Sequence, residues 1–401
     1  MNEMPTIKVI DGNEAAAYGA MLAKVDVVPA YPITPQTPMA SHIADLVASG
    51  DMKATYIRSE GEHSVMGQAA GASATGARVF TASSSQGLAF MAENTFMVSG
   101  TRLPIVMCMV NRCIGGQGRG GLTPAHNDSL LTRDASWIQI YVENPQEVLD
   151  TVIQAFKIAE DDRVSIPVSP CFDGYFVSAT AMPVEIPDQE EVDKFLPPFK
   201  NKYWQIHPDK PLRSYETAAS PKEELLRRAE ALQNAKQVIE QVDAEYGKRF
   251  GRAWGGLIEQ YRCDGADAAL VTMGSMSGTA KDVVDELRDE GKKVGLVKLR
   301  AFRPFPTEEI REIAGRIPAL GFVDRNISHG SAGGGIGCIE TARALYSMDD
   351  RPHLLGFWCG LGGYDVIKPE FRYMYDRVLN AAETGVVGQE YECVEFPGKK
   401  R

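Results

Sequence analysis

Over its first 180 residues the chain alternates short apolar runs with segments of helical periodicity. Apolar runs at 25–31, 53–58, 78–82 and 103–110 predict strands, the last continuous enough to be buried on both faces. Between them, Asn13 is placed to cap a helix over 14–24. Thr37-Pro38 opens another, with Met39, Ile43, Leu46 and Val47 on one face. A third helix, over 63–76, is crowded with Gly, Ala and Ser, so something must pack close to its backbone. A fourth is predicted over 88–99. This order implies right-handed strand–helix–strand units and a parallel sheet covered on both faces.

Further on, residues 186–214 are Pro-rich and irregular, a wrap or crossover. Residues 221–249 read as one long polar helix, a spacer with a thin apolar stripe of Leu225, Ala229, Leu232, Val238, Ile239 and Val242. A second α/β unit starts near Asp267, with strands at 268–272, 294–299, 319–324 and 353–357 and Gly-rich turns at 330–337 and 360–363. The expected architecture is α/β: two doubly wound parallel-sheet domains, 1–215 and 256–401, joined by a helical linker, 216–255.

Charge narrows the partners. The formal net charge is −11, which argues against nucleic acid or an anionic membrane surface. Lys399-Lys400-Arg401 reads as a solvated tail. No apolar stretch approaches the roughly 20 residues that span a bilayer, and residues 1–8 lack the apolar region of a signal peptide. A cytoplasmic protein is expected. The seven cysteines are scattered with no C-x-x-C, which is neither a disulfide framework nor a zinc or iron–sulfur ligand set. No metal site is expected on this chain.

Four polar or glycine-rich segments follow four successive strands: Thr34, Glu60/Glu62, Ser83-Ser84-Ser85-Gln86 and Asn111-Arg112. In a doubly wound sheet those carboxyl ends share one edge, where ligands bind. Glu60 and Glu62 form an acid/base pair or share a proton; the plainer reading is helix-start carboxylates facing the macrodipole. Arg112, after a buried run, suits a substrate carboxylate, or else pairs structurally with Asp128 or Asp134. Thr34, between prolines, is held to orient a ligand oxygen. Residues 83–87 are a candidate anion-accepting helix start. The run 115–121 is not a dinucleotide fingerprint and reads as a loop over the site edge.

Tyr31-Pro32-Ile33-Thr34-Pro35, Ser59-Glu60-Gly61-Glu62-His63, Gly71-Ala72-Ser73-Ala74-Thr75-Gly76-Ala77 and Phe80-Thr81-Ala82-Ser83-Ser84 resemble the alpha subunit of pyruvate:ferredoxin oxidoreductase and its relatives. So do Asn111-Arg112, Trp137-Ile138-Gln139, Glu143-Asn144-Pro145-Gln146-Glu147, Phe195-Leu196-Pro197-Pro198-Phe199 and Arg303-Pro304-Phe305-Pro306, in order over essentially the whole chain. The resemblance implies a domain that binds the pyrimidine of thiamine diphosphate, followed by one similar to the C-terminal domain of transketolases. Glu62 would bond the N1′ nitrogen of the aminopyrimidine, with Glu60 the second choice and Ser84 nearby. Thr34 and Arg112 would hold the oxo and carboxylate groups of a 2-oxoacid.

It further implies that Mg²⁺, the diphosphate site and the iron–sulfur clusters lie on other subunits. Those partners are a thiamine-diphosphate-binding beta subunit, a gamma subunit and a ferredoxin-like delta subunit. Ferredoxin or another acceptor takes the electrons, and coenzyme A takes the acyl group. Pyruvate is the expected substrate. Two departures qualify it: the segment after Asn111-Arg112 is slightly longer than in pyruvate-type chains and carries Arg119 in its glycine run, and Tyr364 stands where Arg is common. A larger or aryl 2-oxoacid such as phenylglyoxylate is the alternative, with Arg119 a further substrate contact. A thiamine-dependent decarboxylase or transketolase-like half is a rival reading within enzymes. A non-catalytic assembly or regulatory paralogue is a rival from outside them.

Overall fold

The computed structural model describes residues 6–114, 121–200, 206, 209 and 220–395. Its first part runs β1 (Thr6–Ile10), α1 (Gly12–Leu22), β2 (Val27–Ala30), α2 (Thr37–Ser49), β3 (Thr55–Arg58), α3 (Glu62–Ala74), β4 (Phe80–Ser83), α4 (Ser85–Phe90) and α5 (Ala92–Gly100). It continues through β5 (Val106–Asn111), α6 (Asn127–Leu131), β6 (Ile138–Tyr141), α7 (Pro145–Ala159), β7 (Val168–Asp173), β8 (Met182–Ile186), α8 (Gln189–Phe195) and α9 (Pro221–Phe250). The second part is β9 (Ile258–Tyr261), β10 (Ala268–Thr272), α10 (Met276–Asp289), β11 (Val294–Leu299), β12 (Ala301–Arg303), α11 (Thr307–Ala314) and β13 (Ala319–Asp324). Then come α12 (Ile336–Leu345), β14 (His353–Cys359), the 3₁₀ turn Leu361–Gly363, α13 (Lys368–Thr384) and β15 (Tyr391–Val394).

Both parts are doubly wound. In the first, β4, β5, β7 and β6 are parallel, and the β2–β3 pair joins them through a bridge between Val27 and Val79. In the second the order is β15-β14-β13-β10-β11-β9, all parallel except the edge strand β9. Strand β12 leaves the second part and pairs antiparallel with β6, closing the first sheet's edge. One apolar core accordingly runs through both, from Met107, Trp137 and Tyr141 to Val271, Leu299, Phe302 and Phe322. Helix α9 lays Ala231, Ala235, Val238, Ile239 and Val242 into the first part's own core, beside Val152 and Phe195, while Leu225 stays exposed.

A buried ion cluster ties the parts together. Glu147, fully buried in the first turn of α7, accepts Lys298 Nζ at 2.7 Å and Arg300 Nε at 3.1 Å. Arg300 also donates to Thr151, Gln154 and the carbonyl of Gly256, so its fork is satisfied.

Two local expectations are corrected. Asp11, not Asn13, caps α1, forming a reciprocal capping box with Glu14. Asn13 is instead buried and donates to the carbonyls of Pro35 and Ser178, both at 2.9 Å. The single helix expected over 88–99 is two, α4 and α5, separated at Met91. No helix among the described residues is long and apolar enough to cross a membrane.

Candidate active site

Glu62 opens α3 directly after β3, and no side chain caps that helix. Its side chain is buried, the residue only 8 % exposed, yet its carboxylate accepts no hydrogen bond among the described residues. Gly87 of α4 lies against it: a Cβ there would come within 2.6 Å of Glu62 Oε1 and collide with Ser83 Oγ. The Ser83 and Ser84 hydroxyls are buried and likewise without a partner. The Glu62 carboxylate and the Ser83 hydroxyl, both against Gly87 and both open, call for a polar ligand, because a buried hydroxyl left unpaired costs free energy. A carboxylate acceptor with a hydroxyl beside it fits a nitrogen heterocycle with ring N–H and amino groups. Glu60, two residues earlier, is exposed and bonded to Ser64, which lowers its pKa; it is not brought into this group.

Arg112 follows β5. Its Nη1 donates to the Thr34 carbonyl at 2.8 Å and its Nε to Gly121 O at 3.3 Å. The pairing with Asp128 envisaged from sequence is corrected: Asp128 accepts the backbone N–H of Arg112 at 2.8 Å, not the guanidinium. Asp134 is engaged by Arg133. The Arg112 guanidinium therefore meets only neutral carbonyls among the described residues and keeps its charge open to an anion. Thr34 is exposed beside it, and its hydroxyl has no partner among the described residues. Arg119 lies outside the described residues.

Asp128 organises this edge. Fully buried, it accepts N–H groups from Ser85 (3.0 Å), Arg112 (2.8 Å), Ser129 (2.7 Å) and the Asn111 amide (2.9 Å). Burial pushes its pKa up to about 6 despite those donors. The anion-accepting helix start expected over 83–87 thus has its anion already: the chain's own Asp128. Gly174, after β7, donates to Asn111 O at 3.0 Å and leaves no space for a Cβ between Asn111 O and Pro35. It joins the loops that carry Thr34 and Arg112. Sequence alone does not single out Asn13, Gly87, Asp128 or Gly174 as site residues. For Gly174 a signal exists, since Asp173-Gly174 follows a buried strand as Asn111-Arg112 does.

Comparison with known proteins places this chain in a class. Two solved structures share the fold. Against a 2-oxoglutarate:ferredoxin oxidoreductase chain from Magnetococcus marinus, solved with 2-oxoglutarate, coenzyme A and succinyl-CoA bound, the TM-score is 0.70 at 19% identity. That match covers 93% of this chain and 65% of that one. An inactive beta4 tetramer of a split-gene transketolase gives 0.52 at 16% identity, covering 96% and 100%. The architecture is thus shared with these two chains. Residues 18–248 match the model for the thiamine-diphosphate-binding part of pyruvate flavodoxin/ferredoxin oxidoreductase, and 266–371 that for pyruvate:ferredoxin oxidoreductase core domain II. The chain belongs to this oxidoreductase family. It is 44% identical to pyruvate synthase subunit PorA of Methanocaldococcus jannaschii, over 96% of this chain and 97% of that one. Identity is 42% to the alpha subunit of NADH-dependent phenylglyoxylate dehydrogenase from Aromatoleum evansii (93% and 91%). It is 43% to ketoisovalerate oxidoreductase subunit VorA of Pyrococcus horikoshii (98% and 98%).

Proposed function

We propose that this alpha subunit of a thiamine-diphosphate-dependent 2-oxoacid oxidoreductase acts on pyruvate, and that Glu62, Thr34 and Arg112 carry the chain's share of the chemistry. The observation behind the residue roles is that the Glu62 carboxylate and the Arg112 guanidinium are each left without an ionic counterpart among the described residues. Glu62 would hold a ring nitrogen of the aminopyrimidine, with Ser83 beside it and Ser84 next along the chain. Arg112 takes the substrate carboxylate in its fork, and the Thr34 hydroxyl orients the oxo group. Thiamine diphosphate, when bound, supplies the electron sink for loss of CO₂. The carboxylate leaves as CO₂, the acyl group replaces the proton of the coenzyme A thiol, that proton passes to solvent, and two electrons leave for the acceptor.

Partner subunits complete the site: a beta subunit with the diphosphate and Mg²⁺, a gamma subunit, and a ferredoxin-like delta subunit with the iron–sulfur clusters. An exposed apolar group on α4 and α5, Phe90, Phe96 and Met97, with Phe90 lying against Gly61 next to Glu62, supports a protein partner there. The absence of any disulfide among the described residues supports a reducing, cytoplasmic location. An aryl 2-oxoacid is the second reading, favoured by near-equal identity to the phenylglyoxylate enzyme's subunit.

The test uses the complex purified anaerobically through this chain. Single 2-oxoacids are added while the iron–sulfur absorbance is followed, wild type beside Glu62→Ala. Bleaching by pyruvate that the variant loses supports the proposal. Bleaching by phenylglyoxylate alone selects the second reading. A complex that holds clusters and cofactor but responds to no 2-oxoacid points instead to an assembly role.

A further inference from the structure

In the second domain the strand order places β10 between β13 and β11, so the topological switch point lies between the carboxyl ends of β10 and β13. A doubly wound sheet of this order binds its ligands in the crevice there. The residues lining that place are Gly274-Ser275 after β10 and Arg325 after β13. What fills it is Asp173 of the first domain. Its Oδ2 accepts the Ser275 N–H at 2.8 Å and the Ser275 hydroxyl at 2.7 Å, and Arg325 Nε lies 3.7 Å from its Oδ1. Gly274 is required by this contact, since a Cβ would stand 2.6 Å from Asp173 Oδ2.

From Asp173 the contacts lead back to the substrate arginine. Oδ1 meets His126 Nε2 at 3.0 Å, and the His126 N–H donates to the Arg325 carbonyl at 3.3 Å. His126 ends segment 121–126. At the other end of that segment Gly121 O accepts from Arg112 Nε, and Thr123 O accepts the N–H of Cys113 at 2.8 Å. Over its middle sits the second domain's Leu361–Gly363 turn: a Cβ on Gly363 would stand 2.8 Å from Thr123 Cβ and 2.9 Å from Pro124 Cδ.

We propose that the second domain is a positioning element for substrate binding: its switch-point crevice, occupied by Asp173, and its Leu361–Gly363 turn clamp segment 121–126 and so fix the Arg112 guanidinium. Asp173, His126 and Gly363 are positioning residues. The inference rests on the reading of Arg112 as the carboxylate-binding group.

Steady-state kinetics of the purified complex test it, with Gly363→Ala, Ser275→Ala, Arg112→Lys and, as an interdomain control on the far side, Glu308→Gln, which removes the carboxylate paired with Lys236. Gly363→Ala is expected to raise KM for the 2-oxoacid about tenfold with kcat within about twofold of wild type, and to narrow the discrimination between pyruvate and bulkier 2-oxoacids. Ser275→Ala, which deletes one hydroxyl, moves KM the same way by less and decides the question if Gly363→Ala does not assemble. Glu308→Gln keeps the wild-type KM. A fall in kcat at constant KM, or wild-type KM in both clamp variants, overturns the clamp while leaving the role of Arg112 standing. Wild-type KM in Arg112→Lys removes the underlying reading, and the clamp with it.

Discussion

The guanidinium of Arg112 reaches across the sheet edge and donates to the backbone carbonyl of Thr34 at 2.8 Å. Two strand ends 78 residues apart in sequence are thereby fastened at the point proposed above to receive the 2-oxoacid.

Lysine at 112 retains the charge but not the planar fork. Arg112→Lys should raise KM for the 2-oxoacid about ten- to a hundredfold, the equivalent of one charge-assisted hydrogen bond lost, with smaller change in kcat. Initial rates of acceptor reduction against substrate concentration measure both. An unchanged KM would place the carboxylate elsewhere.

Glu62 and Glu60 should separate cleanly. Glu62→Gln is expected to lower kcat by about 10²–10⁴, as for loss of an acid–base partner, whereas exposed Glu60→Gln should match wild type. Gly87→Ala tests the same point by steric means, because the added methyl meets Ser83 Oγ and Glu62 Oε1. Weakened thiamine diphosphate binding is the expected result, with a lowered unfolding midpoint from the overpacking.

Asp128 predicts a pH dependence. Above about pH 6 its carboxylate is ionised and purely an acceptor, able to hold the N–H groups of Ser85, Arg112 and Ser129. As pH falls through about 6, one oxygen becomes a donor and the Arg112 backbone loses its anchor, so KM should rise toward acid. In Asp128→Asn the KM should start high and stay flat over that window. A wild-type KM independent of pH there would refute the assignment.

Glu147 is the stability counterpart. Truncation to alanine strands Lys298 and Arg300, both almost wholly buried, without their shared carboxylate. Loss of one partner from a buried ion cluster costs about 3–5 kcal/mol. A denaturant midpoint for Glu147→Ala close to wild type would show that Glu143, 3.2 Å from Lys298, takes over.

Glu62, Thr34 and Arg112 stand out in the sequence as candidates because each is a polar residue soon after an apolar strand, a local pattern that survives without knowledge of the fold. The doubly wound class follows from the same alternation. Asp128 is visible only as a possible partner of Arg112, since nothing local says that a carboxylate 16 residues on will take its backbone N–H instead of its side chain. Asn13 departs from expectation for a similar reason: local rules make it a cap, and the tertiary pull of the Pro35 and Ser178 carbonyls outweighs them. Gly87 owes its importance to the Glu62 carboxylate, distant in sequence, and a single chain carries no signal for such crowding; Gly174 is marked only by its place after a buried strand.

Strand β12 gives the two-domain description a physical limit. Its residues belong by sequence to the second domain but hydrogen-bond to β6 of the first. A fragment ending before Ala301 would leave the outer rim of β6 with a bare row of amide and carbonyl groups, a template for stray chains. The first domain expressed alone should therefore self-associate, and the separated halves should regain solubility only when mixed, as complementing fragments.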